Sequence, residues 1–147
     1  MTFTVAFKLQ FAQEFTRFPP DQQDRVLDFV QLFEKHGLGD FSKYPGKVAP
    51  SWSGLPAGHP NIGYAQANDL WHYHMGYPVF TPGPKYQTSD WLIHFQWVAR
   101  GTHIELVDCY QHYTYSGAFY MPPAKALASA PAPTQSASSD PSSSAGA

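Results

Sequence analysis

The stretch Trp91-Leu-Ile-His-Phe-Gln-Trp-Val-Ala-Arg-Gly-Thr-His-Ile-Glu-Leu-Val-Asp-Cys-Tyr-Gln-His-Tyr113 decides the fold. Aromatic and β-branched residues dominate it, and Arg100-Gly101 interrupts it. It therefore reads as two strands, over 91–98 and 103–109, joined by a tight turn. Upstream, Leu70-Trp-His-Tyr-His-Met75 reads as a further strand within 69–76. Histidines thus fall on three neighbouring strands. Such a set can move protons near neutral pH, bind a metal or grip an anion.

Working outward, Phe3-Thr-Val-Ala-Phe-Lys-Leu9 alternates enough for a first strand. Phe11, Ala12, Phe15 and Phe18 have helical spacing. Pro19-Pro20 ends that helix and opens a second one, since proline fits a first helical turn. The second helix is predicted over 20–35, with Val26, Leu27, Phe29, Val30 and Phe33 on its apolar face. Asp21 and Asp24 suit its positive end, Lys35 and His36 its negative end, and Gly37 its stop. Residues 40–68 are rich in Gly, Pro and Ser and read as an ordered surface loop with short pieces of structure. Residues 77–90, with Pro78, Pro82, Gly83 and Pro84, read as another loop. The predicted class is α+β, in the order β-α-α-β-β-β. A helical hairpin packs on one face of a small antiparallel sheet.

Composition bounds the rest. The chain has 147 residues, 43% hydrophobic and 16% aromatic, which suits one domain with a sizeable core. Residues 1–123 form that domain. From 124 to 147 the chain is almost entirely Ala, Ser and Pro and is expected to be a disordered tail. A net charge of −2 and a pI of about 6.3 do not advertise nucleic-acid binding. The lone Cys109 excludes an internal disulfide and reads as a buried, inert thiol. The N-terminal residues lack the pattern of a signal peptide, and no segment approaches the ~20 apolar residues of a membrane helix. The expectation is a soluble, cytoplasmic protein.

In a strand, alternate residues share a face. His72 and His74 therefore point away from Trp71, Tyr73 and Met75, which face the helices. His94 shares a face with Leu92 and Gln96. On the last strand Ile104, Leu106 and Asp108 alternate with Glu105, Val107 and Cys109. A concave polar face of His72, His74, His94, Tyr110, His112 and Tyr113 follows, on the open side of the sheet. Three readings stand. The histidines are ordinary sheet residues; or the His72-x-His74 pair and a third histidine hold zinc or iron, although no carboxylate is aligned with them; or they are acid–base groups acting on a phosphodiester. Lys43 and Lys47 reach from the long loop, and Arg100 lies in a turn. No phosphate-binding glycine loop, Cys-x-x-Cys, Gly-x-Ser-x-Gly or His-Glu-x-x-His occurs.

The element order, the Leu70-Trp-His-Tyr-His strand and the ending Asp108-Cys-Tyr-Gln-His-Tyr113 resemble the RelE/ParE superfamily of type II toxins. The resemblance covers about residues 3–116. The ending is most similar to YoeB-type ribonuclease toxins, and the histidine-rich face to YafQ-like ones. The resemblance implies an mRNA endoribonuclease, acting on the ribosome without cofactor or metal, that arrests translation and is blocked by a cognate antitoxin. It implies His112 as general acid or base with Tyr113 beside it, and His94 and His74 where those toxins place arginines. His72, Tyr110, Lys47 and Arg100 would contact substrate. Histidine in place of arginine is a departure, since an imidazole is charged only part of the time near pH ~6.5. Two alternatives follow: a non-catalytic ParE-like gyrase inhibitor, and a histidine-rich metal-binding sheet protein.

Overall fold

The structure, a computed structural model, describes residues 2–53, 55–113 and 120–129. It is α+β, with three helices and a five-stranded mixed sheet. The elements are β1 (Thr4–Phe7), α1 (Leu9–Phe15), α2 (Pro20–His36), β2 (Val48–Pro50), α3 (Pro60–Ala67), β3 (Leu70–His74), β4 (Trp91–Gln96) and β5 (His103–Gln111). The strand order is β1-β5-β4-β3-β2. Four strands run antiparallel to their neighbours, but β1 pairs parallel to β5. The expected all-antiparallel sheet is therefore corrected at its edge. The helical hairpin carries the chain back across the sheet, so β1 enters beside the last strand in the same direction as it.

The hairpin forms for local reasons. Pro20 sits in the first turn of α2, Asp21 lies near its positive end and Lys35 and His36 near its negative end. Gly37 ends it at a φ of 64°, where the Phe3 ring packs against its α-carbon. Val26, Phe29 and Phe33 are buried along one stripe of α2. They meet Trp71, Tyr73 and Met75 of the β3 segment, Ile93 and Phe95 of β4, and Ile104, Leu106 and Cys109 of β5. Phe29 stacks on Tyr73 with ring centroids 4.5 Å apart. Truncating such a ring would cost about 3–5 kcal/mol.

The other face of the sheet is not open. The segment 40–68 contributes β2 and α3, and Ala65 of α3 packs with Leu70, Val107 and Ala126. Trp52, Tyr64, Met121 and Leu127 close over this second cluster. Tyr64 Oη donates to the Pro122 carbonyl at 2.8 Å, tying α3 to the C-terminal segment. That segment continues past the expected boundary at 123. Residues Ala124–Leu127 form a 3₁₀ turn, Leu9 N–H donates to the Ala128 carbonyl, and Lys8 Nζ reaches Ser129 Oγ at 3.2 Å. Ala126 is buried in the second cluster and Leu127 packs against it, so apolar contact adds to these hydrogen bonds in holding the segment to the sheet. Residues 130–147 of the predicted tail lie outside the described residues. Among the described residues, no helix is long and apolar enough to cross a membrane.

Candidate functional site

Strand alternation sets the site. In β3, Leu70, His72 and His74 face the second cluster, while Trp71 and Tyr73 face the helices. His72 pairs directly with His94 of β4 across the ladder. Between His94–Asp108 and Phe95–Leu106 the β4–β5 register shifts by one residue, with Val107 as the extra one. This bulge breaks the simple alternation read from the sequence. Ile104 and Leu106 stay on the helix side, Val107 turns to the second cluster, and Asp108 stands beside His94. Asp108, which looked unaligned in the sequence, is thus brought under the histidines.

Four imidazoles converge here. The ring of His72 lies 5.6 Å from that of His74, 5.7 Å from that of His94 and 5.9 Å from that of His112. His74 and His112 stack at 5.4 Å. His112 follows the last residue of β5 and is fixed by its N–H donating to the Asp90 carbonyl at 2.6 Å. His72 and His74 are buried, His94 is fully buried and His112 is half-buried. Tyr113, 59% exposed, lies against the His112 ring at 4.4 Å and marks the outer end of the site.

Each buried ring is held from behind. His72 Nδ1 is 3.0 Å from Ser51 Oγ. His74 Nδ1 is 3.1 Å from the Ser89 carbonyl and 3.0 Å from the Ser89 N–H, so Ser89 can hold either tautomer. His94 Nδ1 is 3.1 Å from Asp108 Oδ1, and Tyr120 Oη donates to Asp108 Oδ2 at 2.6 Å. Neither Asp108 nor Tyr120 was a candidate in the sequence reading. Tyr120 lies beyond the closing hairpin in the sequence, and its backbone N–H donates to the His112 carbonyl at 3.0 Å.

Burial governs the electrostatics. It holds His72 well below the ordinary histidine range, with neighbouring His94 adding to the effect. Burial lowers His74 to about 4 against a stabilising Ser89 hydrogen bond, with His112 and Lys47 lowering it further. His112 is lowered by burial, then by His94 and Lys47. Near neutral pH these three rings are neutral and present lone pairs. Burial raises the Tyr120 hydroxyl, as does Asp108. It therefore stays a hydrogen-bond donor to the carboxylate.

The other sequence candidates divide. The Lys47 carbonyl accepts from the His74 backbone N–H at 2.9 Å, and the Lys47 ammonium is close enough to act on His72, His74 and His112. It also lies over the Tyr86 ring at 5.5 Å. Tyr110 turns away to Glu14, donating to Oε2 at 2.9 Å, and its ring lies 4.9 Å from that of Tyr120. Arg100 is on the opposite face, over Trp71 at 5.0 Å and Trp97 at 5.6 Å. Cys109 is buried against Gln22 and Met75, and burial pushes its thiol up to about 12. It has the character of a packing residue.

No family model matches the chain, and no curated protein or solved structure shows significant similarity to it.

Proposed function

We propose that the histidine pocket is an acid–base active site for RNA cleavage, in a toxin-type endoribonuclease of the RelE/ParE kind. The observation that carries this reading is the placement of His112, at the end of the closing strand, directly against His74 and His72. A neutral imidazole stands ready to accept a proton, and a second one stands at the pocket mouth.

In the proposed reaction the RNA 2′-hydroxyl gives its proton to His74 and attacks the adjacent phosphorus. The bond to the 5′-oxygen breaks, and His112, the least buried of the four, relays the proton: it accepts the one taken up by His74 on one ring nitrogen and releases the one on its other nitrogen to that oxygen, so both rings end neutral. The products are a 2′,3′-cyclic phosphate and a 5′-hydroxyl. Lys47 supplies the permanent positive charge that arginine gives in the resembled toxins. His94 is fully buried, so it serves as a positioning residue, holding the cluster through Asp108 rather than touching RNA. The mRNA would be met on the ribosome, and a cognate antitoxin would cover the His112–Tyr113 mouth.

The test uses the full chain in a translating extract. Wild type should cleave mRNA and arrest translation, and His112→Ala should do neither. Intact mRNA with wild type would end the nuclease reading. Growth inhibition that survives His112→Ala, with loss of DNA supercoiling, would favour a gyrase inhibitor instead.

A further inference from the structure

The histidine cluster is suited to a second kind of ligand. One nitrogen from each of His72, His74 and His112 can be chosen so that all lie within 4.8 Å of one another. The sequence pattern suggested the His72-x-His74 pair with a third histidine as a metal set. The third histidine that the structure brings within reach is His112, from just beyond the end of β5. We infer that His72, His74 and His112 form a binding site for a divalent transition-metal ion of the zinc class.

Three independent features support the site. The first is geometry. Zinc–imidazole bonds of about 2.0–2.1 Å put tetrahedral ligand nitrogens about 3.4 Å apart. Small ring rotations bring atoms already within 4.8 Å to that spacing. The second is the outer support. Ser51 engages Nδ1 of His72, and the Ser89 backbone engages Nδ1 of His74, so Nε2 of each ring is the atom that would meet an ion. Metal-bound histidines are characteristically held through their second nitrogen in this way.

The third feature is His94. Its Nε2 is buried and has no hydrogen-bond partner among the described residues, while its Nδ1 is held by Asp108. A buried unpaired ring nitrogen is costly. His94 lies 5.7 Å from His72, ring to ring, and outside the three-nitrogen set. A water on the fourth position of the ion would give its Nε2 a partner. An all-imidazole set selects zinc, cobalt, nickel or copper over magnesium or calcium, which require oxygen ligands.

The ion would take up the lone pairs of His74 and His112. Its consequence for activity rests on the proposed function above: bound zinc inhibits RNA cleavage, and the metal-free protein is the active form. Metal binding itself does not depend on that reading.

The full chain, stripped with a chelator, is titrated with Zn²⁺ in competition with a chromophoric chelator, and separately with Co²⁺. The expected result is one ion per chain and a tetrahedral or five-coordinate Co²⁺ spectrum. Ser51→Ala, an outer-support change, should weaken zinc by about 10–100-fold, and His112→Gln by more. Circular dichroism confirms that both variants are folded. Absence of zinc binding, or zinc affinity unchanged in folded His112→Gln, overturns the site. RNA cleavage is followed in parallel. Cleavage by the stripped protein that stops on adding one equivalent of Zn²⁺ supports both readings. Zinc binding without cleavage in the stripped protein supports the metal site and rejects the nuclease. Cleavage unaffected by bound zinc rejects the inhibition.

Discussion

Asp108 stands beside His94, its Oδ1 3.1 Å from His94 Nδ1, because β5 carries one more residue than β4 at Val107. A regular ladder would have put this carboxylate on the same side as Ile104 and Leu106, among the aromatic rings of the helix face. The bulge gives it two partners instead, His94 and the Tyr120 hydroxyl. Asp108 is fully buried and depends on both.

Removing this carboxylate should therefore cost more than removing either partner's bond. Asp108→Ala leaves both the His94 Nδ1 and the Tyr120 hydroxyl without their acceptor, at about 1–3 kcal/mol for each buried group. Tyr120→Phe removes a single hydrogen bond and should cost about 1–2 kcal/mol. Urea denaturation of the two variants measures the difference. Equal stabilities would show that the Asp108–His94 contact contributes nothing.

Stability should fall on the acid side of neutrality. His72 and His74 are held below the ordinary histidine value in the folded chain, His74 at about 4. Unfolded, both titrate near ~6.5, so below that pH the unfolded chain binds more protons. The contribution is complete above pH ~6.5 and is lost as pH drops toward the folded values. The slope is about 1.4 kcal/mol per pH unit for each ring that gains a proton only on unfolding. Urea midpoints of chelator-treated protein should decrease from about pH 7 to about pH 5. A constant midpoint would contradict the burial of these rings.

The C-terminal segment should divide into a stabilising part and a dispensable one. Truncation after Pro123 removes Ala126 and Leu127 from the second cluster and should lower stability by about 1–3 kcal/mol. Truncation after Ser129 leaves those contacts in place and should change stability by less than about 0.5 kcal/mol. Thermal melts of the two truncated chains separate these outcomes.

The two cations singled out in the sequence should behave differently. Lys47→Ala should slow RNA cleavage by about tenfold, a barrier increase of about 1.4 kcal/mol. Arg100→Ala should leave cleavage unchanged and cost about 0.5–1 kcal/mol of stability from its place over Trp71 and Trp97. Rates measured at equal protein concentration decide between them.

These predictions mix features that could and could not be read along the chain. Alternation in Leu70–His74 separated His72 and His74 from Trp71 and Tyr73, because a strand offers only two faces. Pro20, Asp21 and Gly37 marked the ends of α2 through local chemistry. The bulge left no such mark, since Val107 is as good a strand residue as its neighbours. The parallel pairing of β1 with β5 joins residues about a hundred positions apart and has no local signature. The cover over the histidine face was hidden for a different reason. Ala126 and Leu127 sit in a composition that predicts disorder, yet the small side chain of Ala126 is what fits against Leu70 and Val107. A face expected to be open is covered by the second cluster, and burial holds His72, His74 and His112 below the ordinary histidine range.

End-group mapping of mRNA is the sharpest experiment on the histidine pocket. Metal-free full-length protein is incubated with mRNA on translating ribosomes, and the new RNA ends are mapped for wild type and His112→Ala. Attack by the 2′-hydroxyl with His74 and His112 moving the protons predicts 2′,3′-cyclic phosphate ends with wild type and none with the variant. Intact mRNA with wild type, or the same ends in equal yield from His112→Ala, would contradict it.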